Sequence, residues 1–293
     1  MIRLFVILAF FVSGASSLML EVVWSKALGH LVGNTLQAIT TVVASYMGGL
    51  ALGAAWAGRS GLGQKRPVLA YGVLEMGIGL FGIASPWLIQ ALDGPLGAAY
   101  VAFGGTSLAY AAIRFLLTFG LLLVPTTMMG ATLPILVSWG TRRSDLARVL
   151  GTLYAVNTAG AVVGTALGGF AFLPALGLSR TALVAGLTSL TLGAIMATLD
   201  RRLPAAAVGA APAPAPPPAA TAPRTHVVHD PAERPRLMLA LFAVSGAVSL
   251  STQIAWSRVA AILLGSSVYS FTLVLATFLV GISVGASAMR TEA

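Results

Sequence analysis

Long uninterrupted runs of apolar residues dominate the chain, and short segments between them carry most of the charges. About 20 apolar residues in a helix cross a hydrocarbon core that is roughly 30 Å thick. The pattern predicts eight such spans: Leu4–Val23, Thr35–Ala57, Val68–Leu92, Leu108–Val124, Val149–Phe172, Thr181–Leu199, Leu237–Ala255 and Val268–Ala288. Because the runs do not alternate apolar with polar residues, a membrane β-barrel is disfavoured. We therefore expect an all-α, polytopic helical membrane protein.

Two further apolar segments do not fit this simple pattern. Pro125 and Pro134 interrupt Pro125–Trp139, and each removes a backbone donor. This segment could be a bent extension of the fourth span, a re-entrant piece or an interfacial helix. The glycine-rich segment Leu96–Ser107 is expected to be a loop or a surface helix.

Composition agrees with a membrane protein and excludes a soluble one. Of the 293 residues, 57% are hydrophobic and only 9% are charged, and the mean hydropathy is +0.92. Soluble globular domains carry about 25% charged residues. The chain therefore has too few charged residues to cover a water-exposed surface.

The net charge of +9 is explained by the placement of the basic residues. With the N-terminus in the cytoplasm, Lys26, Arg180 and Arg258 fall outside and Arg114 falls within a span; the other thirteen of the 17 basic residues fall inside. Cytoplasmic loops of membrane proteins carry this excess of Lys and Arg. We therefore expect a multi-pass protein of the cell (inner) membrane, surrounded by lipid, and no nucleic-acid partner.

An ungapped internal repeat relates the first two spans to the last two. Val12–Ala54 aligns with Val244–Ala286 at a constant offset of 232, with 16 identities in 43 positions. Trp24 and Ser25 match Trp256 and Ser257. Since the second copy lies inside the chain, we expect the first copy to be a retained span and not a cleaved signal peptide.

The repeat divides the chain into three parts. Residues 1–199 are expected to form a six-helix half, and residues 237–293 the first two helices of a second half. Six spans separate equivalent points, so both copies enter the membrane in the same direction, as in the parallel halves of the major facilitator superfamily. Residues 200–236 hold nine of the 15 prolines and are expected to form a cytoplasmic linker.

Glycines at four-residue spacing recur on the spans. Small residues at this spacing let helix backbones approach closely within a bilayer. The glycines predicted to pack helices together are Gly49, Gly53, Gly160, Gly164, Gly168, Gly281 and Gly285.

Ionisable residues within a bilayer are costly and are therefore candidates for function. Glu21, Glu75 and Arg114 lie in or near the predicted spans. Glu75 and Arg114 could form a structural ion pair, or they could bind a cation or relay protons. Glu21 could be hydrated near the membrane surface, and Gln253 takes its place in the second copy of the repeat.

Polar residues also cluster in the fifth span, at Tyr154, Asn157, Thr158 and Thr165. They are too many to face lipid on every side, so at least one face is expected to meet protein or a water-filled cavity. The candidate substrate-binding residues are thus Glu21, Glu75, Arg114, Tyr154, Asn157 and Gln253. No serine lies beside a base and a carboxylate in the sequence, and cysteine is absent, so we predict no catalytic site, no metal site and no cofactor.

Four motifs in order resemble those of one family. They are FFVSGASSLMLEVVWSKALGHLVGNT near the start, MGGLALGA, PTTMMGATLPIL at Pro125–Leu136, and LYAVNTAGAVVGTALGGF at Leu153–Phe170. Together they are similar to the membrane region of fused major-facilitator/spermidine-synthase-like proteins. The resemblance implies a transporter-like membrane region that precedes a cytoplasmic aminopropyltransferase-like domain. The glycine-rich loop of that domain is not found in this sequence, so the chain is expected to correspond to the membrane part alone.

Three functions follow as alternatives. The resemblance implies a membrane module of a polyamine-synthase-like system that anchors the enzyme, as a domain or a subunit, or provides a path for a cationic amine. Intramembrane carboxylates such as Glu21 and Glu75 could attract a polyamine. The other two alternatives are a major-facilitator-like transporter of an unrelated small solute and a purely structural membrane anchor.

Overall fold

Apolar sequence runs become long helices in the computed structural model, which describes residues 2–32, 35–61, 66–140, 146–202, 235–265 and 267–288. The elements are α1 (Ile2–Val32), α2 (Thr35–Ser60), α3 (Pro67–Gln90), α4 (Asp93–Phe103), α5 (Leu108–Gly140), α6 (Leu146–Ala166), a π-helical segment (Leu167–Phe172), α7 (Leu173–Arg202), α8 (Pro235–Leu264) and α9 (Ser267–Ala288). The described residues contain no strand. Residues 203–234, which hold most of the predicted linker, lie outside the described ranges.

Seven helical stretches within the described ranges are long and apolar enough to cross a membrane. The stretch Arg148–Arg201 contains both the fifth and the sixth predicted spans. Within α7, Gly177 has φ 75° and ψ 178°, so the helix is interrupted there by a backbone conformation that favours glycine. The chain is thus an all-helical protein with apolar stretches of membrane-spanning length.

Of the two ambiguous segments, Pro125–Trp139 is helical throughout and Leu96–Ser107 is helical as far as Phe103. Pro125–Trp139 continues α5 without interruption as far as Gly140, so it extends the fourth predicted span. Thr126 and Thr127 donate hydrogen bonds to the carbonyls of Leu122 and Leu123 in this region. The glycine-rich segment forms most of α4, an 11-residue helix.

Helix α1 lies at the centre of the bundle and contacts α2, α3, α5, α6, α7 and α9. Around it, α3 packs along α7 and α2 packs along α5, while α9 packs against α6 and α8. Apolar side chains such as Leu20, Val23 and Trp24 of α1 are fully buried by these neighbours. Polar residues of α1 are therefore held inside the bundle, where they can form a site.

An ion pair joins the beginning of α3 to the end of α7. Arg66 Nη2 lies 2.6 Å from Asp200 Oδ2, and the Nε–H of the same guanidinium donates to that oxygen at 2.8 Å. The Asp200 side chain is fully buried, whereas that of Arg66 is half-exposed. These two helix ends therefore lie at the same end of the bundle.

Candidate functional site

A cavity of about 360 Å³ lies between α1, α2, α5, α6, α8 and α9. Its polar lining comes mainly from Ser13, Ser17, Glu21, Tyr46, Thr132, Tyr154, Asn157, Thr158, Ser249 and Gln253. The rest of the wall is apolar and comes mainly from leucine, methionine and phenylalanine side chains. Pockets for small molecules have this combination of apolar walls and a few convergent polar groups.

The acidic group of the cavity wall is the carboxyl group of Glu21. Its side chain is only 2% exposed, and Oε2 has no hydrogen-bond partner among the described residues. No Lys, Arg or His of the described ranges lines the cavity. An uncompensated buried carboxylate is costly, and a cation in the cavity would offset that cost. The surroundings of Glu21 therefore favour a positively charged ligand.

A second carboxylate, Glu75 of α3, lies behind the cavity wall. It is fully buried, and Ser13 Oγ donates a hydrogen bond of 2.5 Å to its Oε1. Ser13 itself lines the cavity, whereas Glu75 does not. The Glu75 carboxylate is therefore connected to the cavity through one serine hydroxyl.

Hydroxyl groups surround the two carboxylates. Tyr46 lines the cavity and lies close enough to interact with the charges of both Glu21 and Glu75. Tyr71 and Ser189 also lie beside Glu75. Ser16 shares a 2.8 Å hydrogen bond with Ser189, which links α1 to α7. This part of the bundle is consequently a polar region without a basic side chain among the described residues that line it or bond to it.

The predicted polar face of the fifth span lies on α6, and three of its residues line the cavity: Tyr154, Asn157 and Thr158. Asn157 Nδ2 also donates a 3.0 Å hydrogen bond to the carbonyl of Phe10 on α1. Thr165 is fully buried elsewhere, and its hydroxyl has no partner among the described residues. One face of the span therefore meets both protein and a cavity.

Gln253 of α8 brings the second copy of the repeat into the same site. It is 6% exposed and lines the cavity, as does its repeat equivalent Glu21. The two copies have different surroundings elsewhere: Trp24 is fully buried, whereas Trp256 is 56% exposed. Only part of the repeat is therefore enclosed by the described residues.

The possible ion pair between Glu75 and Arg114 does not form. Arg114 donates hydrogen bonds to Gln37 Oε1 and to the carbonyl of Val32, and its guanidinium lies 5.3 Å from the ring centre of Tyr110. Glu75 is bound by Ser13 instead. Arg114 lines a different cavity, of about 270 Å³, between α2 and α5. The sequence could not show this, because it gives the spans but not which faces of α3 and α5 are turned towards each other.

Five of the selected glycines lie where helices touch. A Cβ added to Gly49 would overlap Thr126, and one added to Gly53 would overlap the backbone of Thr127 on α5. Added to Gly160, Gly164 or Gly168, it would meet Phe11, Ala15 or Met19 of α1, respectively. These positions hold α2 against α5 and α6 against α1.

The two glycines selected on α9 differ from their repeat equivalents. A Cβ added to Gly281 or Gly285 would meet no described atom within 4 Å. Their repeat equivalents are Gly49 and Gly53, which are in close contact with α5. Gly281 and Gly285 therefore make no close helix contact within the described part of the chain.

Several polar residues of the site were not selected from the sequence, and Ser13 and Tyr46 are the two of them that lie beside the carboxyl groups. Ser13 belongs to a group of three serines, with Ser16 and Ser17, within an otherwise apolar span. That grouping was an available signal, because hydroxyls in a span tend to face other helices. Tyr46 had no such signal, since one tyrosine near a span centre is common in packed helices.

Comparisons with known proteins give no further assignment. No protein-family model, no curated protein and no solved structure matches this chain. The cavity and its carboxylates are therefore the observations on which a function can be proposed.

Proposed function

We propose that the chain is a multi-pass membrane protein whose cavity binds a cationic amine and provides a transporter-like path for it. The observation that carries this proposal is the buried Glu21 carboxylate, which faces the cavity with one oxygen unpartnered and with no basic side chain beside it in the described residues. An ammonium group would supply both the missing hydrogen bonds and the missing charge.

The rest of the cavity suits an aliphatic amine. The aromatic rings of Tyr46 and Tyr154 can contact an ammonium group through their faces. Leu18, Met129 and Leu279 offer apolar surface for methylene groups. The cavity volume of about 360 Å³ lies within the usual range for small-molecule sites, roughly 300–1,000 Å³. A flexible diamine or polyamine combines both requirements, in agreement with the resemblance to fused major-facilitator/spermidine-synthase-like proteins.

Eight passes with the N-terminus in the cytoplasm are part of the proposal. If α3 and α5 each cross the membrane once, Gly140 returns to the side on which Arg66 lies. The ion pair then requires Asp200 to lie on that side too. The stretch Arg148–Arg201 would therefore cross twice, with its reversal near Gly177. The excess of basic residues would identify that side as the cytoplasmic side of the cell (inner) membrane. An aminopropyltransferase-like domain or subunit on this side could be the partner of the chain.

A ligand screen by thermal unfolding tests the proposed function. The purified full chain is heated in detergent with putrescine, spermidine, neutral sugars, amino acids or organic anions. Because a ligand that binds only the folded state raises the unfolding midpoint, amines should raise it in a concentration-dependent way. Glu21→Gln should abolish this shift, whereas the charge-matched Asp93→Asn, on exposed α4, should retain it. Stabilisation by non-amine solutes alone would favour an unrelated transporter, and no stabilisation by any solute would favour a structural anchor.

A further inference from the structure

Glu75 is connected to the cavity only through the hydroxyl group of Ser13 among the described contacts. Glu75 is fully buried, its Oε1 accepts the 2.5 Å hydrogen bond from Ser13, and its Oε2 has no partner among the described residues. Ser13 lines the cavity, but Glu75 does not. A metal ion or an ammonium group in the cavity would therefore meet the serine hydroxyl and not the carboxylate. A hydroxyl can nevertheless accept a proton on one side and donate one on the other.

The groups that face Glu75 leave its charge uncompensated. Titratable groups beside Glu75 are Tyr71 on α3 and Tyr46 on α2; Tyr46 in turn lies near Glu21 of α1, and none of these groups carries positive charge. On α7, Ser189 lies beside it, while Arg180, Asp200, Arg201 and Arg202 lie towards the helix ends. The charged residue of α5 is Arg114, which is bound to Gln37 and Val32.

We propose that Glu75 is a proton-binding site that is loaded from the cavity through Ser13 and that regulates cation binding at Glu21. In the loading step, a hydronium in the cavity gives a proton to Ser13 Oγ as the Ser13 hydroxyl proton passes to Glu75 Oε1. The Ser13 hydroxyl is regenerated, a water molecule remains in the cavity, and the Glu75 carboxylate becomes a neutral carboxylic acid. Reversal of these steps returns the proton to the cavity.

A proton bound at Glu75 and an amine bound in the cavity then compete, because each neutralises negative charge in the same region. An ionised Glu75 adds negative charge next to Tyr46, which lines the cavity together with Glu21, and so attracts a cation into the cavity; a protonated Glu75 does not. Binding of a cationic amine should therefore expel a proton, and the affinity for the amine should fall as the pH falls. This competition rests on the proposed function, whereas proton binding at Glu75 does not.

Infrared difference spectroscopy tests the proton site without any amine. Full-length protein in lipid nanodiscs is titrated, and the carbonyl stretch of protonated carboxylic acids is followed. One carboxylic-acid band that titrates in the wild type should be missing in Glu75→Gln and retained in Glu21→Gln. Ser13→Ala should slow hydrogen–deuterium exchange of this band, whereas Ser85→Ala, which removes a buried hydroxyl bonded to the carbonyl of Gly82, should not. An unchanged set of titrating bands in Glu75→Gln would overturn the proposal.

Calorimetry tests the competition. Putrescine is used because its amines, like that of lysine with a pKa of about 10.4, remain charged near neutral pH. Titrations in buffers with different ionisation enthalpies measure the protons released as putrescine binds. Wild-type protein should release protons and lose affinity several-fold towards lower pH, whereas Glu75→Gln should release fewer protons for each putrescine bound and bind weakly at every pH. Equal proton release in wild type and Glu75→Gln would refute the competition. An absence of putrescine binding would count against the proposed function. Whether Glu75 binds a proton would then be decided by the infrared experiment.

Discussion

Glu21 and Gln253 occupy equivalent positions of the internal repeat, 232 residues apart in sequence, and both line the same cavity. They differ in chemistry, because only Glu21 can carry a negative charge. The cavity wall therefore has an acidic side chain and a neutral amide at related positions. A diammonium ligand could bind the carboxylate of one residue and the amide oxygen of the other.

A second carboxylate in place of the neutral Gln253 side chain should strengthen the binding of a diamine. We expect Gln253→Glu to raise the affinity for putrescine about tenfold, because a hydrogen bond to a charged group contributes about 1.5–3 kcal/mol. The isosteric control is Gln253→Met, which should change the affinity for a monoamine little. Binding is measured by scintillation proximity with radiolabelled amines. If Gln253→Glu weakened diamine binding while the protein stayed folded, the two ends of the ligand could not be placed at these residues.

Equivalent glycines of the two repeat copies should differ in their tolerance of a side chain. Gly53→Val should lower the unfolding midpoint, since its Cβ would collide with Thr127 and would lie 2.8 Å from the Ala131 nitrogen. Overpacking of this kind costs about 1–3 kcal/mol, and more where backbone must move.

Gly285→Val is the matched control for that experiment. Its Cβ would meet nothing within 4 Å among the described residues, so the unfolding midpoint should stay close to that of the wild type. Both variants are compared by differential scanning fluorimetry in the same detergent. Equal destabilisation by the two substitutions would contradict the packing difference between α2 and α9.

Loss of the Arg66–Asp200 ion pair should destabilise the bundle. Arg66→Ala would leave the fully buried Asp200 carboxylate without its partner, and Oδ1 already has no described partner. An unsatisfied buried group costs about 1–3 kcal/mol, and more when it is charged. Arg201→Ala, which removes an exposed arginine at the same end of α7, should have little effect.

Replacing the unpaired Asp200 by a neutral residue should restore part of the stability lost in Arg66→Ala. The double variant Arg66→Ala with Asp200→Asn is expected to unfold at a higher temperature than Arg66→Ala alone. A double-mutant cycle from the four unfolding midpoints measures the coupling. A cycle with no coupling would show that the ion pair does not hold α3 to α7.

Single cysteines can test the proposed topology, because the chain contains none of its own. Gly58 on α2 and Gly94 on α4 both have open space around them, so Gly58→Cys and Gly94→Cys should be tolerated. In intact cells, an impermeant maleimide should label Gly94→Cys and leave Gly58→Cys unlabelled until the membrane is opened. The reverse pattern would invert the proposed orientation.

Much of the helical architecture was predictable because apolar runs of about 20 residues have few alternatives to a helix in lipid. The prolines of α5 were harder to interpret, since the sequence pattern is compatible with a bent helix, a re-entrant piece or an interfacial helix, and the structure shows one helix that continues to Gly140. The break at Gly177 lies in the gap between the fifth predicted span, which ends at Phe172, and the sixth, which begins at Thr181, although the pattern did not single out this glycine.

The sequence predicted which residues belong to the candidate site better than it predicted which of them are in contact with each other. Glu21, Tyr154, Asn157 and Gln253 were selected because polar groups in a span need partners, and all four line one cavity. The partner of Glu75 was not predictable, since it depends on the rotation of α1, which places Ser13 against α3. Helix rotation is set by packing at many positions, and single-chain sequence patterns do not record it.

The most direct test of the amine site is equilibrium binding of radiolabelled putrescine to the purified full chain, compared with Glu21→Gln and Asp93→Asn. The proposed site predicts saturable binding to wild type and to Asp93→Asn, and a loss of at least about tenfold in affinity in Glu21→Gln, because the lost charged hydrogen bond is worth about 1.5–3 kcal/mol. Folding of each variant is checked by its unfolding midpoint. Equal putrescine affinity in wild type and in folded Glu21→Gln would contradict the assignment of the cavity as a cation site.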